Sequence, residues 1–248
     1  MLRHDEKLIE FTRRLAEAAG DNLQSVVLYG SAARGDYHTH KSDLNLLCVL
    51  KSAKASDLAR FSHVIHWWSG QLREPPPQFF TQEELERSAD VFAIELLDIS
   101  RHHKVLFGSD PVADLEVPTN LHRVEVEHGL RSLLQKLRVH FLHYHENEAQ
   151  LREIYAKSIS GLTVLLRHTL IVFGEDDQKD KSAIYQRIEQ LTGADASVFE
   201  LGHALRDDHP SADLARAFGK YLESMATVIH SLDAVVPKHE WRRLKRSV

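Results

Sequence analysis

The chain has 248 residues, with 31 Lys and Arg against 36 Asp and Glu, so it carries a net charge of −5 at neutral pH. Its 43% hydrophobic and 27% charged residues are ordinary globular values and exclude a disordered or collagen-like chain. The mild acidity argues against nucleic acid as a bulk partner, which basic surfaces normally attract. Cys48 is the single cysteine, so an internal disulfide is excluded and a reducing, cytoplasmic setting fits. No run approaches the roughly 18 apolar residues of a membrane helix, and the start MLRHDEKLIEF lacks the apolar core of a signal peptide.

In chain order, Leu8, Ile9, Phe11, Leu15 and Ala18 repeat at helical spacing and predict a helix over 4–19, stopped by Gly20. The β-rich run 25–29 predicts a strand that ends at Gly30-Ser31, and 44–50 predicts a second, buried strand interrupted by Asn45. A helix is expected over 57–70, and after Pro75-Pro76-Pro77 a short extended run over 78–81. The run 91–99 reads as a third main strand and 104–107 as a short fourth, closed by Gly108. Beyond Pro118 the pattern becomes wholly helical, with candidates over 120–148, 151–173, 182–191, 196–205 and 212–235. Two domains are therefore expected, 1–117 and 118–248. Charge divides at the same place: 1–117 holds 13 basic and 18 acidic residues, whereas 118–248 holds 18 of each.

The chemistry concentrates in Leu28-Tyr29-Gly30-Ser31-Ala32-Ala33-Arg34-Gly35 and in Ser42-Asp43-Leu44-Asn45-Leu46. A glycine after a strand lets backbone approach an anion, and a serine hydroxyl with free amides can bind phosphate oxygens. An acid at the edge of the adjacent strand can hold a divalent cation that bridges the phosphates. Gly-Ser, then Ala-Arg-Gly, then Ser-Asp, in order between two apolar strands, resembles the nucleotidyltransferase superfamily of the DNA polymerase β fold. It resembles the bacterial minimal and aminoglycoside nucleotidyltransferases, over about 100 residues. The resemblance implies an α+β domain with a mixed sheet and flanking helices, followed here by an all-α helical bundle. It implies two Mg²⁺ ions that orient a nucleoside triphosphate, such as ATP, for attack by a hydroxyl of a small molecule or of a protein. It also implies three carboxylates, two of them spaced Asp-x-Asp so that both face one side of a strand.

This sequence departs from that pattern at Asn45, which keeps a carbonyl ligand but loses a full charge. The metal set is thus expected at Asp43, Asn45 and a third acid in 91–99. Glu95 is favoured over Asp98 there, because a charge in the middle of a strand needs a reason. Gly30, Ser31, Arg34 and Ser42 are the nucleotide-binding candidates. Arg34 can fork onto a phosphate or clamp an acidic neighbour such as Asp36. In the helical half, Lys157 is a candidate for reaching the triphosphate, with an exposed helix lysine as the plainer reading. His38, His40, His140, His143 and His145 read as solvated rather than metal-binding, and the basic tail 238–246 as a solvated end. A homodimer contact on the helical half is left open. Two functions follow: transfer of a nucleoside monophosphate, or, because of Asn45, a catalytically degenerate member that binds nucleotide or a partner.

Overall fold

The computed structural model describes residues 3–34, 43–118, 121–175, 180–206 and 213–235, with Arg34 described for its backbone only. The chain forms two compact units, Met1–Leu121 and His122–Val248.

In the first unit, α1 (His4–Ala19) buries Leu8, Phe11 and Leu15 along one stripe and ends at Gly20, whose φ of 56° suits the residue without a Cβ. β1 (Leu23–Tyr29) runs into Gly30 and the four-residue α2 (Ser31–Arg34). β2 (Asn45–Leu50) returns antiparallel to β1, with Tyr29 opposite Asn45 and Leu28 opposite Leu46. The stretch expected as one helix over 57–70 is instead divided into α3 (Ala55–Ala59), α4 (Ser62–Ile65) and a π-helical turn over His66–Gln71. β3 (Gln78–Thr81) pairs parallel with β2, α5 (Gln82–Arg87) follows under a capping box from Thr81 and Glu84, and α6 (Ala93–Arg101) leads to β4 (His103–Gly108). The sheet is mixed, in the order β3-β2-β1-β4.

Alternation along β1 and β2 sorts the core into two layers. Val26, Leu28, Leu46, Cys48 and Leu50 pack with Phe11, Leu15 and Trp68 on one face. Val27, Leu47 and Val49 pack with Leu85 of α5 and Leu96 and Ile99 of α6 on the other.

The expected strand over 91–99 is corrected here. Ala93, Ile94, Leu96 and Ile99 are the buried residues of α6, a spacing of one helical face rather than a two-residue alternation. A dense apolar run is compatible with either period. Here the amides of Val91 and Phe92 turn back onto the Ser88 carbonyl, and the Phe92 carbonyl then accepts the Leu96 amide as the first bond of the helix.

The second unit is all helical: α7 (His122–Tyr144), α8 (Glu148–Val172), α9 (Lys181–Thr192), α10 (Ala196–Arg206) and α11 (Leu214–Asp233). Asn147 caps α8 by accepting the Gln150 amide. Its core is aromatic: the rings of Tyr155 and Tyr221 stack at 4.3 Å, Phe218 meets both edge-on, and the Tyr155 hydroxyl donates to the Val198 carbonyl at 2.6 Å. No helix among the described residues is long and apolar enough to cross a membrane.

Candidate active site

The two halves of the Gly-Ser…Asp-x-Asn motif meet where β1 ends and β2 begins. Gly30 has a φ of 79°, in the left-handed region, and its carbonyl accepts the Ala33 amide at 3.2 Å to close the turn into α2. A Cβ placed on Gly30 would lie 2.9 Å from the amide nitrogen of Asn45. The backbone angle therefore requires glycine, and a Cβ here would also push the end of the Asn45 side chain aside. Ser31 opens α2 directly after this contact and is half-buried.

Asp43 is exposed, Leu44 is buried at 1% exposure, and Asn45 is half-buried as the first residue of β2. Leu44 anchors the segment into the core shared with α1. Its neighbours Asp43 and Asn45 are two apart, which sets them on the opposite side from Leu44. The anchor is also polar. The Leu44 amide donates to Glu74 Oε2 at 3.3 Å, and Glu74 Oε1 pairs with Lys7 Nζ of α1 at 2.5 Å. Trp68, buried beneath, donates from its indole nitrogen to the Pro75 carbonyl at 2.9 Å and pins the residue after Glu74.

Glu95 lies in the first turn of α6 and is exposed, so it is not a buried charge in mid-strand. Asp98 is half-buried one turn later, and the two acids share a helix side rather than pointing to opposite faces. Glu95 nevertheless acts at this end of the sheet. The Tyr29 hydroxyl is pushed up to about 12, first by burial and then by the Glu95 carboxylate. Tyr29 is the strand partner of Asn45, so Glu95 approaches the motif from the helical layer.

Ser42, Gly35, Asp36, His38, His40 and the tail 238–246 lie outside the described residues, as does the Arg34 side chain. Lys157 is in the second unit, 75% exposed and bridged to Glu153 one turn away. His140, His143 and His145 are exposed on the last turns of α7 and the residues after it. Among the described residues, no three His, Cys, Asp or Glu side chains form a group that could hold a metal ion.

Lys7, Tyr29 and Glu74 are site-supporting residues that motif reading passes over. Lys7 carried a signal, since it sits beside Leu8 and one turn from Phe11, on the apolar side of α1. Glu74 carried none, because its partner is distant in sequence.

Residues 6–101 match the family model described as the nucleotidyltransferase domain. No curated protein sequence matches the chain. Among solved structures, spectinomycin adenyltransferase AAD(9) from Enterococcus faecialis, crystallised with ATP and spectinomycin, is similar with a TM-score of 0.56 at 12% identity, covering 90% of this chain and 99% of that one. A nucleotidyltransferase-like protein from Exiguobacterium sibiricum is 13% identical, covers 90% of this chain and 75% of its own, and has a TM-score of 0.34. The first likeness shows the fold. The Gly30–Asn45 corner lies inside the stretch, residues 6–101, that matches the nucleotidyltransferase domain.

Proposed function

We propose that the chain binds a nucleoside triphosphate, with ATP as first choice, at the Gly30–Asn45 corner. It passes the nucleoside monophosphate to a hydroxyl, and pyrophosphate leaves. The acceptor is a small molecule, such as an aminoglycoside, or a protein side chain. The observation that carries this reading is the close approach of Gly30 and Asn45 beside Ser31 and Asp43, within the matched domain. The ATP and spectinomycin bound by the AAD(9) protein are in keeping with both ligand classes. We place the reaction in the cytoplasm and assign the transfer to the first unit.

Nucleotidyltransferases of this family generally use divalent metals. The side chains at the corner supply the Asp43 carboxylate and the Asn45 carbonyl, with the exposed Glu95 carboxylate on the helical layer. Mg²⁺ is commonly held by one or two carboxylates together with substrate phosphates, so this set fits one ion carried on the triphosphate. It does not fit a pair of ions bridged by two adjacent strand carboxylates. When bound, the ion supplies charge neutralisation at the phosphates. Gly30 admits the phosphates to the backbone, Ser31 donates its hydroxyl, and Asp43, at the exposed edge, faces the incoming complex.

A second reading, nucleotide binding without transfer, is favoured by Asn45 and by the exposed helical position of Glu95. Calorimetry with Mg–ATP and a labelled-nucleotide transfer assay over candidate acceptors separate the two. Transfer that Asp43→Ala abolishes supports the first reading. Binding without transfer, with transfer gained in Asn45→Asp, replaces it with the second.

A further inference from the structure

The two core layers tell which side chains flank Asn45. Val27, Leu47 and Val49 belong to the layer under α5 and α6, so alternation puts Tyr29 and Asn45 on that same face. Phe80 packs into that layer while Phe79 packs into the other, so Gln78 also belongs to the face of Asn45. Tyr29 is paired directly with Asn45, and on the other side of β2 Gln78 is paired with Leu47, two residues along from Asn45. Beyond Tyr29 lies His103 of β4.

The strand positions around Asn45 on its own face thus hold a phenol, a carboxamide and an imidazole, and none holds a carboxylate. Among the described residues Asp43 is the acid that leads into β2, and it is exposed, as is Glu95 on the helical layer. The chemical consequence is specific. A divalent ion that binds before its nucleotide must be dehydrated by protein charge, and two carboxamides contribute carbonyl dipoles only. A carboxamide has, in exchange, an NH₂ group that donates to phosphate oxygens, where a metal-free carboxylate would repel them. Nδ2 of Asn45 is the atom that faces Gly30.

We infer that the described residues of this corner form no resident divalent-ion site: an ion enters only on the triphosphate, which Asn45, with Gln78 on the neighbouring strand, meets through amide hydrogens. The inference rests on the nucleotide-binding reading above. It goes beyond the loss of one charge at Asn45, because the neighbouring strand does not restore that charge.

The test is a titration of the nucleotide-free full chain with Mn²⁺, with the free ion followed by electron paramagnetic resonance. The natural protein is expected to show no binding up to about 1 mM, while Asn45→Asp and the pair Asn45→Asp/Gln78→Glu acquire it, the pair at least about tenfold more tightly than the single variant. Circular dichroism melts establish that each variant is folded. Binding of Mn²⁺ by the natural protein with a Kd below about 0.1 mM overturns the inference, as does a folded pair variant that gains no binding. A parallel ATP titration, with and without chelator, separates the two levels. Absence of ATP binding in both overturns the nucleotide-binding reading, whereas the Mn²⁺ result judges the ion site alone.

Discussion

Lys7 of α1 and Glu74, in the approach to β3, form an ion pair at 2.5 Å with side chains only 7% and 9% exposed. The second carboxylate oxygen of Glu74 accepts the amide of Leu44, between Asp43 and Asn45. A surface pair would contribute little, but here both charges are desolvated, and each depends on the other. The pair therefore ties the first helix to the segment that presents the motif.

Removing one partner leaves the other charge buried and alone. Lys7→Met is expected to lower stability by about 3–5 kcal/mol in urea unfolding, and Lys7→Met/Glu74→Gln to recover most of that loss. A double-mutant cycle that gives no coupling would show that the pair does not act as one unit.

Gly30 has no tolerance for a side chain. Gly30→Ala adds the strain of a left-handed φ and places a Cβ 2.9 Å from the end of the Asn45 side chain, which must then shift. The expected cost is about 1–3 kcal/mol, with ATP affinity falling further than stability does. Thermal melts and ATP calorimetry on the same variant measure the two effects.

The Tyr29 hydroxyl reports on Glu95. Its folded value is raised to about 12 by burial and by the Glu95 carboxylate, from an ordinary 10.0. A group raised on folding contributes stability that is fully present below its unfolded value and is lost as pH rises through the folded one. Stability from this residue should therefore decline between about pH 10 and pH 12. Glu95→Gln is expected to lower the Tyr29 midpoint part of the way and to leave the larger burial contribution. Ultraviolet titration of phenolate, with Tyr29→Phe to assign the signal, follows it. An unchanged midpoint in Glu95→Gln would place Glu95 away from the motif.

Cys48 is fully buried in β2, and burial pushes its thiol well above the ordinary range. A disulfide reagent is expected to leave it unmodified in the folded protein at neutral pH and to react fully in denaturant. Rapid native labelling would mean that β2 opens locally.

The sequence by itself determined the order of the chemistry. Gly30, Ser31, Asp43 and Asn45 are legible because a strand, a glycine turn and a second strand are local patterns, and because the departure at Asn45 is a matter of residue identity. The helices of the second unit are legible for the same reason, since their apolar positions repeat over many turns. The tertiary structure decided what local pattern leaves ambiguous. The run 91–99 is apolar enough for strand or helix, and only its packing onto the face of Leu47 and Val49 makes it α6 and sets the Glu95 carboxylate on the helical layer, where it acts on Tyr29. Lys7 and Glu74 are 67 residues apart, and Asn45 and Gln78 belong to different strands, so no spacing in the chain could relate them. Strand register and helix packing set those pairs, and through them the charge that the corner can offer a metal ion.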